Sequence, residues 1–151
     1  MQTRDQQYAC KIFDQVKTIA EMDPATANSY GSMAHKLPIL IHTSGLMQAL
    51  AFIDARHRGT KEKPAGPELL LEDLSKTVLG DDATGETLLT RARGVPNDPA
   101  GSLQEYIYLT RQVLAALLWY KRYAQSILGV EQGQDNGSDN PGANDNDSNQ
   151  Q

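Results

Sequence analysis

Cysteine is nearly absent from this chain. Cys10 is its single copy, which excludes an internal disulfide and a cysteine-based zinc site. It falls between Ala9 and Lys11 in a helical pattern and is expected to be a half-buried structural thiol. Histidine is scarce too, with His35, His42 and His57 only. The HExxH arrangement, which sets two imidazoles on one helix face, is missing. Pro38 lies between His35 and His42 and no carboxylate is near, so each histidine is expected to be solvated or structural. Nothing matches the phosphate-cradling GxxxxGK[ST] or a GxGxxG after a strand. Ser44-Gly45 and Thr84-Gly85 read as caps and turns, not nucleophile elbows. No metal, cofactor or catalytic residue is predicted, and the chain is not expected to be an enzyme.

Long uninterrupted apolar runs are also lacking. The most apolar stretch, KLPILIHTSGLMQALAFI at residues 36–53, is broken by Pro38, His42 and Ser44-Gly45, and has Lys36 at its edge. A core helical hairpin suits it better than a membrane span. No secretory leader pattern opens the sequence, and a cytoplasmic location is the expectation.

Positive charge stops early. All 14 Lys and Arg precede residue 123, whereas the 19 acidic residues include Glu131, Asp135, Asp139, Asp145 and Asp147 near the end. The net charge of −5 therefore describes the tail, while residues 1–129 are formally neutral. Beyond Gln132 the sequence is Asn, Asp, Gly, Ser and Gln with almost no apolar residue. Such a segment cannot offset its ordering entropy by burial, and residues 130–151 are predicted to be a disordered acidic tail.

The 151 residues suffice for one domain, placed at 1–129. Thr3-Arg4-Asp5-Gln6 fits a capping box before a helix over about 4–22, with Tyr8, Ile12, Phe13, Val16, Ile19 and Ala20 as its apolar face. Asp23-Pro24 ends it and caps a second helix whose face is Tyr30, Met33, Ala34 and Leu37, and which kinks or ends at Pro38. Gly45 closes that segment. A third helix over about 45–58 buries Leu46, Ala49, Leu50, Phe52 and Ile53. After a Gly/Pro loop, Pro67 opens a fourth helix with Leu70, Leu71, Leu74, Val78 and Leu79, ended by Gly80. A short helix over 84–93 carries Leu88, Leu89 and Ala92. Ser102-Leu103-Gln104-Glu105 caps a long last helix with an apolar stripe of Leu103, Tyr106, Ile107, Val113, Leu114, Leu117, Leu118, Ala124, Ile127 and Leu128, and Gly129 closes it. With no competing strand pattern, the fold class is all-α: a compact bundle of five to six helices with a long C-terminal one.

Two features go beyond packing. Arg56, Arg58, Lys61 and Lys63 cluster at one helix end, and Lys36 with Lys121-Arg122 extend the patch if their helix ends converge. The last helix also has a second face, Tyr108, Arg111, Gln112, Ala115, Trp119 and Arg122, at spacings of three and four. A mixed aromatic and arginine stripe suits a protein interface or a nucleic-acid backbone. A tryptophan packed under a loop among solvated charges would give the same pattern. The acidic pairs Glu72-Asp73 and Asp81-Asp82 have ordinary surface roles, Glu72 pairing with Lys76 at i,i+4 and Asp81-Asp82 at a helix end. A metal-dependent hydrolase using Asp73, Asp81 or Asp82 stays open as a rival.

HKLPILIHTSGLMQALAFI resembles the KLPxLIxxNGLxxxLAFL-type signature of the small α-helical subunit of type III-B CRISPR effector complexes, the Cmr type. Lys36-Leu37-Pro38, Ser44-Gly45-Leu46 and Leu50-Ala51-Phe52 carry the match. The run Ala115 to Ala124 is similar to that family's EALxFLxWLKRFAEA ending. The resemblance spans residues 5–128. Ser44 stands where the family often has Asn, and the acidic tail is outside the pattern. The resemblance implies a non-catalytic subunit that stacks with copies of itself in the minor filament of an antiviral ribonucleoprotein. Its implied partners are other Cmr-type subunits, CRISPR RNA and target RNA, with no membrane. On that basis Lys36, Arg56, Arg58, Arg111, Lys121 and Arg122 are the candidates for RNA backbone contacts, and Tyr108, Gln112 and Trp119 for a partner interface. A protein-only helical adaptor, including a type III-A-like small subunit without RNA contact, is the alternative.

Overall fold

A computed structural model describes residues 1–57, 65–94 and 103–133 of the chain. Every regular element among them is a helix: α1 (Arg4–Ala20), α2 (Pro24–Ser44), α3 (Leu46–His57), α4 (Gly66–Leu79), α5 (Gly85–Arg93) and α6 (Leu103–Ser126). The described bundle is all-α with six helices. The acidic segment 134–151, the Ser102 cap and the loop bearing Lys61 and Lys63 lie outside the described residues.

The first two helices begin at their sequence signals. Gln6 N–H donates to Thr3 Oγ1 at 3.1 Å and Thr3 N–H to Gln6 Oε1 at 2.9 Å, a reciprocal capping box that satisfies two orphan donors. Asp23 caps α2 by accepting from Thr26 N–H at 3.1 Å, with Pro24 at the first helical position, where its missing donor costs nothing.

Of the two outcomes expected at Pro38, an end is ruled out: the helix continues through it to Ser44. Proline removes one i→i−4 bond, but Leu37 and Ile41 on either side are buried in the core, and that burial outweighs the lost bond. The break comes at Gly45, at φ 86 and ψ 161, a region essentially restricted to glycine. Gly45 N–H donates to the Ile41 carbonyl at 2.9 Å, and α3 starts one residue later. The first turn of α3 has orphan N–H groups, and one of them, on Met47, donates to the Tyr106 hydroxyl of α6 at 3.1 Å.

α6 is the central rod, about 36 Å long for its 24 residues. It packs on α1, α2 and α4, while α3 packs on α2, α4 and α5. α2 runs antiparallel to α6, as the pairs Tyr30–Tyr120 and Gly45–Tyr106 show, and α1 meets α6 at Phe13 and Tyr123. The buried line of α6 is Leu109, Val113, Ala116, Leu117, Tyr120 and Ala124. Leu103, Ile107 and Leu118, expected in the stripe, are 72%, 41% and 59% exposed. Their arc lies on a flank that no described neighbour covers, so apolar spacing alone makes the stripe too wide. Phe13, Phe52 and Ala20 are likewise exposed. Phe13 stands at the edge of α1, where its ring meets Tyr123 edge-on at 5.6 Å. Cys10 is exposed rather than half-buried, because it lies opposite the Tyr8, Ile12, Val16 and Ile19 face.

A polar network crosses the core where α1, α2, α4 and α6 meet. Tyr30 donates its hydroxyl to Asp73 Oδ2 at 2.8 Å. Tyr120 donates to Gln15 Oε1, accepts from the Thr77 hydroxyl at 2.9 Å, and Gln15 Nε2 donates to the Asp73 carbonyl at 3.1 Å. Both tyrosines are fully buried, so each phenol needs a partner, and the four helices supply them.

Candidate nucleic-acid and partner surface

α6 carries most of the predicted site residues. Arg111 and Arg122 are exposed, Lys121 is half-buried, Tyr108 is exposed, and Gln112 and Trp119 are half-buried. Between Leu109 and Ser126 the helix holds three cations and no carboxylate. The last turn of α6 holds no basic residue, so Lys121 and Arg122, which precede it, are not there to complement the helix dipole.

Trp119 and Arg122 are brought together. The guanidinium carbon lies 5.4 Å from the indole centroid, and Tyr123 stacks at a tilt of 32° with ring centroids 5.8 Å apart. Trp119 Nε1 donates to Asp5 Oδ1 on α1 at 3.2 Å. On the far side of Tyr123 stands Phe13, with Lys17 Nζ 5.7 Å from its centroid. Trp119 therefore packs in a helix–helix seam, not under a loop. The seam is a row of three aromatic rings with a cation over each end, and it pins the first turn of α1 to α6. Sequence reasoning misses Asp5, Phe13, Lys17 and Tyr123 as members of this row, because α1 and α6 stand at opposite ends of the described chain. A guanidinium beside an indole face carries five N–H donors, a group suited to phosphate oxygens.

Tyr108 and Gln112 belong to a different place. One turn apart, they line a cleft of about 1200 Å³ between α5, α6 and the start of α3, with Met47, Arg91, Arg93 and Leu103. Lys36 is exposed on α2. Arg56 stands in the last turn of α3 with its side chain outside the described structure, and Arg58 lies outside it altogether. α3 begins beside Tyr106, in the first turn of α6, whereas Lys121 and Arg122 lie about four turns further along. Convergence of the basic cluster at residues 56–63 with α6 falls on residues outside those described.

The acidic residues have structural partners. Lys11 bridges to Asp81 at 2.6 Å and donates to the Lys76 carbonyl at 2.8 Å, tying α1 to the end of α4. Lys76 pairs with Glu72 at 3.4 Å, as their i,i+4 spacing predicts. Burial pushes the Asp73 carboxyl up to about 6, while the Tyr30 hydroxyl and the nearby Lys76 ammonium pull the other way. The hydrogen bond from Lys11 lowers the exposed Asp81 carboxyl. Among the described residues no three His, Cys, Asp or Glu side chains converge on a point that would hold a metal, and no helix is long and apolar enough to cross a membrane.

Comparison with known proteins agrees with this helical body from end to end. Residues 4–127 match the family described as CRISPR-associated protein (Cas_Cmr5). The curated protein "CRISPR system Cmr subunit Cmr5" of Thermus thermophilus is 38% identical over 128 residues, which cover 85% of this chain and 98% of that one. A crystal structure of a CRISPR-associated Cmr5 family protein from Thermus thermophilus superposes with a TM-score of 0.70 at 34% identity, covering 86% of this chain and all of the other. The resemblance carried by residues 36–53 thus extends along the whole bundle, and the chain belongs to the Cmr5 family of CRISPR-associated proteins.

Proposed function

We propose that this chain is the non-catalytic small subunit of a type III-B, Cmr-type CRISPR ribonucleoprotein, stacking with its own copies in the minor filament and helping to hold guide–target RNA. The observation that carries the RNA-facing part is the stretch of α6 from Leu109 to Ser126, with Arg111, Lys121 and Arg122 and no acid among them. Such a face recognises phosphates by charge and not bases by sequence, which is what a subunit serving any guide requires. A body without net positive charge binds naked RNA weakly, so repetition of the face along a filament supplies the avidity. The complex is a cytoplasmic assembly in this reading.

The test is a Cmr-type complex reconstituted with the triple variant R111E/K121E/R122E. Target RNA affinity is expected to fall about tenfold or more near 0.1 M salt, with the complex still assembled. An assembled complex of unchanged affinity removes the RNA role from α6.

One observation favours a protein-only adaptor instead: the cleft lined by Tyr108, Gln112, Met47 and Leu103 offers aromatic and apolar side chains of the kind that anchor protein interfaces. In that case ultraviolet crosslinking of the assembled complex yields no RNA adducts on this chain, and Tyr108→Ala reduces its incorporation.

A further inference from the structure

α6 ends in a lock that fixes where the remaining chain departs. Gly129 takes φ 69, and Val130 N–H donates back to the Ala124 carbonyl at 2.9 Å, so the chain turns off the helix axis. Val130 is then buried against α2 at 4% exposure, and its carbonyl accepts from His35 Nε2 at 2.8 Å. Gly31 of α2 makes the room, since a Cβ there would lie 2.8 Å from two carbons of the Val130 side chain. Gly31, His35 and Ala124 thus hold a single valine, and Glu131, Gln132 and Gly133 emerge exposed from a fixed point.

What leaves that point lies outside the family pattern. The family match stops at Ile127, and the region shared with the Thermus relative takes in 98% of that protein but 85% of this one. Residues 134–151 carry Asp135, Asp139, Asp145 and Asp147 and no Lys or Arg. Arg122 and Arg111, three turns apart, share the outer line of α6, while half-buried Lys121 stands on the flank away from Trp119, whose indole is held by Asp5 of α1.

We propose that residues 134–151 dock back onto the outer line of α6 at Arg122 and Arg111, beside Trp119, so that the subunit carries its own polyanion competing with phosphate for this face. Its consequence for RNA rests on the reading of α6 given above; the docking itself does not. Length and charge both fit. Eighteen residues, mostly Asn, Asp and Gln, reach at most about 60 Å, and the distance along α6 from Ser126 back to Arg111 is about 22 Å. A tether of that length keeps the carboxylates at an effective concentration of order millimolar, enough for exposed, salt-screened contacts to be populated but displaceable. An RNA strand, with denser charge, displaces the tail.

The test uses the full chain with Cys10→Ser and Ser148→Cys, so that one nitroxide label sits near the end of the tail. Cys10 is exposed and free, and its replacement leaves the core untouched. Trp119 is the only tryptophan, and its indole N–H gives a single assignable signal on the target face. At low salt, paramagnetic broadening is expected at Trp119 and at the amides of residues 118–123, at least about twofold stronger than at α3 or α5. It is expected to vanish near 1 M NaCl, and in the variant with Asp135, Asp139, Asp145 and Asp147 all changed to Asn. Uniform broadening over the surface, or broadening that survives either change, overturns the docking. In a second arm, the four-Asn variant is expected to bind single-stranded RNA about three- to tenfold more tightly near 50 mM salt, with the gap closing as salt rises. Docking with no gain in RNA binding would overturn the competition and the phosphate reading of α6 while leaving the contact. Absence of the contact would overturn the tail proposal and leave that reading intact.

Discussion

The hydroxyl of Tyr30 donates to the carboxylate of Asp73 at 2.8 Å, across the α2–α4 contact and next to the buried Tyr120. Asp73 is unusual among the carboxylates here because burial outweighs that hydrogen bond and holds its carboxyl near 6 in the folded chain. A carboxyl raised above its unfolded value binds its proton more tightly when folded. Its contribution to stability is therefore full below about pH 4, is lost as pH rises between about 4 and 6, and stays lost above that. The size at neutral pH is on the order of 2–3 kcal/mol. Urea denaturation of the native chain and of Asp73→Asn, whose amide oxygen still accepts from Tyr30, measures it. The difference between the two is expected to move in favour of Asp73→Asn as pH goes from 4 to 7. A difference that is flat across that range places the Asp73 titration elsewhere.

The corner between α2 and α3 depends on Gly45 in the same direct way. At φ 86 and ψ 161 an L side chain is strained whatever space surrounds it, and the Tyr106 hydroxyl lies 3.4 Å from where a Cβ would be. Gly45→Ala is expected to cost about 1–3 kcal/mol in denaturant unfolding. Because the Tyr106 hydroxyl also caps α3 through Met47, hydrogen exchange in the first turn of α3 is expected to quicken more than in α1. A loss of less than about 0.5 kcal/mol would show that the corner relaxes into another backbone geometry.

Caps and breaks are legible in the sequence because they act within four residues. Thr3 with Gln6, Asp23 with Pro24, Gly45 and Gly80 all follow from local chemistry, and the helices begin or end at them. The face of α6 is legible only in part. Helical spacing says which residues share an arc, and neighbouring helices decide which arc is covered. Spacing therefore draws Leu103, Ile107 and Leu118 wrongly into the core and omits Leu109 and Tyr120. At Pro38 the sequence leaves a kink or an end open, and burial of Leu37 and Ile41 on either side excludes the end. On the surface, the i,i+3 spacing is enough to pair Trp119 with Arg122. No local pattern points to Asp5, Phe13 or Lys17, which reach that seam from α1. The polar network around Tyr30, Asp73, Gln15, Thr77 and Tyr120 has no local signature at all, being assembled from four helices.

Arg56 and Arg58 supply a sharper test of how RNA is held than affinity alone. Arg56 lies in the last turn of α3 and Arg58 follows that helix in sequence, whereas it is the start of α3 that meets the first turn of α6. Their contribution is therefore separable from that of Arg122. Each side chain that neutralises a phosphate releases condensed counterions, and removing one such side chain lowers the slope of log affinity against log salt by about 0.7–0.9. In a reconstituted Cmr-type complex, R56E/R58E is expected to reduce that slope by about one to two and to weaken target RNA binding near 0.1 M salt, about equally for unrelated guide–target pairs. The free subunit should keep its helical circular dichroism and melting profile, since single charges at a helix end contribute little to folding. A weaker affinity with an unaltered slope would mean that the two arginines act through a protein neighbour, and an unaltered affinity across the salt series would remove both from the RNA-binding surface.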